Sequence, residues 1–120
     1  MKVYGENIMN INIKILELLN EIITEDINHG YWQLELVLKY IMNNPESINN
    51  LNNKVYPFVA QEFNCKPWCI EKNISRLIPL VDTKRLAEIT DTNINVETLT
   101  TARLIKILII HLKLNTYKTI

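Results

Sequence analysis

The stretch YPFVAQEFNCKPWCIEKNISRLIPLV, residues 56 to 81, decides the fold because its pattern is that of two short helices joined by a tight turn. Ala60 is small enough to lie where a second helix crosses the first. Asn64 tolerates the left-handed backbone that a tight interhelical turn often needs. Ile70 supplies a branched apolar side chain that can hold the second helix in place. These residue types at these separations are typical of a helix-turn-helix, whose second helix lies in the major groove of DNA.

An ordinary helical hairpin is the alternative interpretation, since short helical motifs often match by chance. In either case the second helix is predicted to begin at Pro67, because proline is favoured at the first helical position. It is predicted to extend to Ile78, and Pro79 should stop or bend it because the proline ring clashes with the carbonyl of Ser75. The inward face is Ile70, Ile74, Leu77, Ile78 and Val81, and the outward face is Glu71, Lys72, Ser75 and Arg76.

The rest of the chain shows apolar residues at helical spacing, which predicts helices over residues 11–23, 31–42, 51–63, 83–89 and 101–114. Pro57 lies inside the third of these, so that helix either begins near Tyr56 or is kinked there. Thr100 or Thr101 can cap the last helix. A length of 120 residues, two glycines and no repeat or linker then predict one all-α domain, residues 1–120, built as a compact bundle of about six helices.

Charge is unevenly distributed along the chain, although it sums to zero. Residues 1–63 hold four basic and eight acidic side chains, whereas residues 64–120 hold nine basic and five acidic ones. A molecule that turns one side toward phosphate shows such asymmetry, although so few charges also produce it by chance. The excess positive charge begins at the predicted interhelical turn.

Other function classes find little support in the sequence. Cys65 and Cys69 lack a second pair of Cys or His residues nearby to complete a zinc site, so they are expected to be reduced thiols without a metal or other cofactor. Neither a glycine-rich phosphate loop nor a paired acid–base constellation indicates an enzyme or a small-molecule substrate. The N-terminus lacks a signal peptide, and the apolar stretch 104–114 is too short to cross a bilayer. A cytoplasmic protein without a membrane partner is expected.

The segment HGYWQLELVLKYIMNNPESINNLNNKVYPFVAQEFN, residues 29–64, together with the helix that follows it, resembles a known family. The family is the C-terminal DNA-binding effector domain of the sporulation initiation response regulator, the stage-zero sporulation A protein. The most specific mark is the string YP-x-(V/I)-A-x-x-FN at residues 56–64. Weaker marks are His29-Gly30-Tyr31, the 20-residue spacing from Asn44 to Asn64, and the apolar pattern of the last helix. The resemblance covers roughly residues 12 to 114.

The resemblance implies an all-α domain that binds short boxes of double-stranded DNA upstream of regulated genes, as a homodimer or tandem pair. Glu71 matches the family's acid. Lys72 replaces an arginine and loses the two-pronged guanidinium that suits guanine, and Ser75 replaces another arginine. Arg76 stands where the family has histidine. The candidate DNA-binding residues are therefore Glu71, Lys72, Ser75 and Arg76 on the second helix, with Lys54, Lys66, Lys84 and Arg85 as candidate phosphate contacts.

These departures leave a second hypothesis open. Cys65 and Lys66 replace the two threonines that precede the family's helix, and Pro79 has no counterpart in it. A chain of this length has no room for the receiver domain that precedes the family's effector domain, so a receiver-less paralogue is expected. It could have lost DNA binding and act as a protein-interaction modulator of a full-length regulator. The exposure of Trp68 discriminates in principle, because an exposed tryptophan there would suit a protein contact.

Overall fold

The computed structural model describes residues 3–23 and 29–118, and the side chains of residues 11–23 and 29–115. The described residues form six α-helices: α1 (Val3–Ile22), α2 (His29–Asn43), α3 (Tyr56–Glu62), α4 (Pro67–Ser75), α5 (Thr83–Thr90) and α6 (Thr101–Lys118). Shorter helical turns cover Pro45–Asn49, Leu51–Val55, Ile78–Leu80 and Val96–Thr98. Apart from one isolated bridge between Ile23 and Val81, this part of the chain contains no β-structure. The predicted all-α class is confirmed.

The second helix lies at the centre of the bundle, because α2 packs against α1, α3, α4 and α6. Its apolar residues Leu34, Val37, Leu38 and Ile41 are completely buried. The fifth helix packs against α1 and α6 instead. One continuous core therefore links all six helices, and α4 is held by α2, α3 and α6 together.

The predicted third helix is divided in two. A π-helical turn covers Leu51–Val55, and α3 proper begins at Tyr56. Of the two alternatives for Pro57, a helix that begins near Tyr56 is therefore the correct one. Pro57 lies in the first turn of α3, where backbone amides have no intrahelical acceptor, so its missing amide proton costs no hydrogen bond.

The ends of the other helices also differ from the prediction. The first helix starts at Val3 and the last extends to Lys118, so both are longer than the apolar pattern indicated. The break expected over residues 24–30 falls largely on residues 24–28, outside the described part of the chain, and α2 begins at His29. Thr100 caps α6, since its hydroxyl accepts a hydrogen bond from the amide of Arg103 at 3.1 Å.

The prediction of a helix from Pro67 to Ile78 was wrong at its C-terminal end, because α4 ends at Ser75. Pro79 has no amide proton for the Ser75 carbonyl, and its ring would clash with that carbonyl in a continuing helix. The chain tightens instead: the amide of Leu77 donates to the Ile74 carbonyl at 2.9 Å, and a 3-10 turn follows over Ile78–Leu80. Arg76 consequently lies just after the helix and not within it.

Asn64 adopts the left-handed backbone conformation, with φ of 55°, in the turn between α3 and α4. This confirms the role expected of an asparagine at this position. We expect Asn64→Gly to keep the thermal stability close to that of the wild type, because glycine enters this region without a steric penalty. Asn64→Ala should lose about 1 kcal/mol, because its Cβ opposes the left-handed conformation without a compensating local hydrogen bond. Thermal unfolding followed by circular dichroism measures both; equal losses would contradict this explanation.

Candidate nucleic-acid interface

Helices α3 and α4 form a closely packed pair joined by the short segment 63–66. Val59 and Ala60 on α3 and Ile70 and Ile74 on α4 are all buried in the common core. The amide of Cys65 donates to the Ala60 carbonyl at 2.9 Å, which satisfies a carbonyl group at the end of α3. The small residue, the turn residue and the branched apolar residue that the sequence singled out therefore lie together in this pair.

A buried polar contact fixes the rotation of α4 about its own axis. The side-chain amide of Asn73 donates to the side-chain oxygen of Gln33 on α2 at 3.0 Å, and Gln33 is only 2% exposed. Ile70 and Ile74, on the same side of α4, are also buried. This face of the helix is therefore held against the core. The sequence does not predict this contact, because nothing local links two residues that are 40 positions apart.

The opposite face of α4 is open to solvent. Glu71, Lys72 and Ser75 are exposed, as is Arg76 immediately after the helix. Lys66 is also exposed, at the N-cap, where no side chain caps the helix. A shallow open groove of about 500 Å³ runs along this face. Its lining residues are Trp68, Glu71, Lys72, Ser75, Ile78, Leu99, Thr100 and Thr101.

The charges of this face come from one short segment. Residues 63–76 contain Lys66, Lys72 and Arg76 and one carboxylate, Glu71, so their net charge is +2. A surface that carries excess positive charge and a few polar side chains can approach a phosphate backbone and also reach base edges.

Trp68 is the most unusual residue on this face, because 63% of its surface is exposed. The Nζ atom of Lys72 lies 5.8 Å from the centre of the Trp68 ring, within the range of a cation–π interaction. An exposed tryptophan at this position would suit a protein contact.

Ser75 uses its hydroxyl proton within the helix. Its Oγ donates to the carbonyl of Lys72 at 2.7 Å. The hydroxyl oxygen can still accept a hydrogen bond from outside, whereas donating one to a base requires the hydroxyl proton to leave the Lys72 carbonyl.

The remaining candidate residues lie on other elements. Lys54 is exposed in the turn before α3, and Lys84 is exposed in the first turn of α5. Arg85 is exposed but ion-paired: its guanidinium donates to Glu21 on α1 and lies 3.5 Å from Glu88. The hydrogen bond to Glu21 is the main cause of the raised pKa of Arg85. The structure therefore brings five of the eight candidates together around α4, and Arg85 would have to exchange a partner to contact phosphate.

The two cysteines are free thiols, both half-buried, beside the turn and the start of α4. Burial and the neighbouring Cys69 raise the pKa of the Cys65 thiol. Within residues 3–23 and 29–118, no cluster of three or more His, Cys, Asp or Glu side chains could hold a metal ion. None of the helices described is both long and apolar enough to cross a bilayer.

A family model matches most of the chain. The model for the C-terminal domain of sporulation initiation factor Spo0A matches residues 15–112. The chain belongs to this family. The Spo0A C-terminal family consists of DNA-binding effector domains of transcription factors and is not a family of enzymes. The match includes both α3 and α4, which confirms the resemblance on which the sequence interpretation depends. Comparison with solved structures found no match.

Tyr56, from the most specific string of the Spo0A C-terminal resemblance, is 2% exposed, and its hydroxyl has no hydrogen-bond partner among the described residues. Burial is the first cause of the raised pKa of Tyr56, and the charge of Glu71 is the second. We expect Tyr56→Phe to raise the free energy of unfolding by about 1 kcal/mol, because it removes a buried hydroxyl that is not satisfied.

Tyr31→Phe is the matched control for Tyr56→Phe, since the Tyr31 hydroxyl donates to Asn20 at 2.6 Å. It should lower the free energy of unfolding by about 1 kcal/mol. Urea denaturation of both variants measures the two signs. A loss of stability in Tyr56→Phe as large as that in Tyr31→Phe would show that the Tyr56 hydroxyl is satisfied in solution.

Proposed function

We propose that this chain is a sequence-specific DNA-binding transcription regulator in which α3 and α4 act as a helix-turn-helix. Helix α4, Pro67–Ser75, enters the major groove of double-stranded DNA, and α3 supports it. One observation carries the proposal: α4 is fixed by a buried face and by the Gln33–Asn73 hydrogen bond, and its free face presents Lys72 and Arg76. This function would be carried out in the cytoplasm, in contact with chromosomal DNA, and needs neither a small-molecule substrate nor a cofactor.

The residues of the free face have different roles in this proposal. Lys72 and Arg76, four positions apart, reach guanine edges or the phosphates that flank them, and arginine can form two parallel bonds to guanine. Glu71 accepts a hydrogen bond from the amino group of cytosine. Ser75 contributes one hydrogen bond. Together these four residues read sequence, three of them from a helix of only nine residues and Arg76 from the position that follows it.

Contacts to the DNA backbone would position the domain without specifying sequence. Lys66 at the N-cap of α4 is the best placed of these candidates, and Lys54 and Lys84 extend the contact to neighbouring elements. Arg85 joins them only if it leaves Glu21. Two copies side by side on adjacent boxes, as the family resemblance implies, would double these contacts.

The second candidate function is a protein-interaction module that binds a full-length regulator of the same family. The exposure of Trp68 favours it, since tryptophan is enriched at the centres of protein interfaces. The loss of a charge at Ser75 favours it as well. The two candidates differ in one property: only the first predicts binding to duplex DNA by the isolated protein.

Selection from a random-sequence duplex library, followed by fluorescence anisotropy on the enriched duplex, tests the proposal. We expect one short sequence to be enriched. Affinity for it should fall by about 10- to 100-fold between roughly 50 and 200 mM salt, because each neutralised phosphate contributes about −0.9 to the slope. No enrichment, with no binding even at about 50 mM salt, would reject this function in favour of the interaction module.

A further inference from the structure

Trp68 is exposed and lies close to the residues that are proposed to contact base edges. It lines the same groove as Glu71, Lys72 and Ser75. It is the second residue of α4, and Lys72 lies one turn further along the same face. Of the large hydrophobic side chains described, Trp68 exposes the greatest fraction of its surface. A partner that buries this indole would have to offer an apolar group. It would also have to place anionic groups nearby, because the Lys72 ammonium lies over the ring.

DNA offers one such partner in the major groove. The C5-methyl group of thymine is the main apolar group on the floor of the groove, and phosphates flank it within the reach of a lysine. The N-terminal residues of a recognition helix are those that approach base edges most closely. Trp68 has this position, and the Lys72 ammonium held over its ring keeps a cation beside the indole. A protein partner would also bury the indole, but the exposed cations Lys66, Lys72 and Arg76 around it favour a polyanion.

We propose that Trp68 is a specificity-determining residue that packs its indole against the C5-methyl group of a thymine in the bound DNA. This inference rests on the proposed function and adds to it a fifth reading residue and an apolar mode of recognition. It also assigns a role in DNA binding to the contact between Lys72 and Trp68. In the free protein, Lys72 partly covers the ring, and on binding DNA its ammonium group can move to a phosphate or guanine while the indole meets the methyl group.

The test uses the duplex enriched by the wild-type protein, with each thymine replaced in turn by deoxyuridine. Deoxyuridine keeps the base pair and removes only the C5-methyl group. One replacement should weaken wild-type binding by about fourfold, the equivalent of one buried methyl group or roughly 0.8 kcal/mol. Trp68→Ala should bind the unmodified duplex more weakly and should show no further loss at that position. Trp68→Phe should retain part of the sensitivity, because phenylalanine also contacts thymine methyl groups.

Trp32→Phe is the matched control. Trp32 is 43% exposed on α2 and packs edge-to-face against Tyr31, so its replacement should leave the sensitivity to deoxyuridine unchanged. The same variant leaves Trp68 as the only tryptophan of the chain. Its emission should shift to shorter wavelength, and its quenching by acrylamide should decrease, when the enriched duplex is added. Circular dichroism establishes whether Trp68→Ala is folded. If the variant is unfolded, the fluorescence experiment alone tests whether DNA buries the indole.

The outcomes separate this inference from the proposed function. If the wild-type protein enriches no duplex, the proposed function itself fails, and the inference fails with it. If the protein binds a duplex but no deoxyuridine replacement weakens binding, or if Trp68→Ala keeps the wild-type sensitivity, the inference is wrong and the function stands. Fluorescence of Trp68 that does not change on DNA binding would contradict the inference equally.

Discussion

Replacing Ile70 with alanine is expected to lower the free energy of unfolding by about 2–5 kcal/mol. Ile70 is completely buried between α4 and the helices that hold it, so the truncation removes apolar contacts and leaves a cavity. A domain of this size has a stability of roughly 5–15 kcal/mol, and the loss is a large part of it. Urea denaturation followed by circular dichroism measures the change.

Two further variants calibrate this result. Ile70→Val should lose only about 0.5–1.5 kcal/mol, because one methylene group is removed. Ile110→Ala, on a residue that is 58% exposed, should change stability by no more than about 0.5 kcal/mol. If Ile70→Ala proved as mild as Ile110→Ala, α4 would not be packed against the core in the way described, and the candidate surface would lose its support.

The double variant Lys72→Ala/Arg76→Ala is expected to have the largest effect on DNA binding. Each side chain contributes about 1–3 kcal/mol to discrimination between bases, so their joint loss should reduce the ratio of specific to non-specific affinity by at least 30-fold. Both residues are exposed, so the stability of the variant should remain near that of the wild type. Anisotropy titrations with the enriched duplex and with a scrambled duplex measure the ratio.

A charge-matched control separates base-specific recognition from the non-specific attraction between positive charge and DNA. Lys14→Ala/Arg103→Ala also removes two positive charges, but Lys14 lines a groove between α1 and α6, and Arg103 lines another beside the end of α5. This control should weaken binding to both duplexes only slightly and should preserve their ratio. An equal loss in the two double variants would mean that net charge, and not the free face of α4, carries the binding.

The sequence was sufficient to predict the helical class and the α3–α4 pair, because both depend on local rules. Apolar residues at helical spacing define the buried faces, and the left-handed conformation of Asn64 follows from a short turn between two such faces. The proline at the start of α4 was also informative, since its position within a helix is restricted by its own geometry.

The sequence was insufficient where the structure depends on contacts between distant parts of the chain. The end of α4 is a separate, local case, because Pro79 ends the helix at Ser75, three residues before the predicted end at Ile78. The ion pair between Arg85 and Glu21 joins residues 64 positions apart and changes how available Arg85 is for phosphate. The Gln33–Asn73 hydrogen bond, which helps to keep Trp68 on the outward side of α4, joins residues 40 positions apart, and no local pattern reveals it.

In the proposed function, the free face of α4 is the DNA-binding surface. Titration of the ¹⁵N-labelled protein with the enriched duplex, followed by amide chemical shifts, tests this assignment residue by residue. We predict that the largest changes cluster on residues 64–76, including the amides of Lys66, Lys72 and Arg76, and that the surface around the exposed Ile110 and Leu114 on α6 changes little. Changes centred on that α6 surface, with α4 unaffected, would contradict the account.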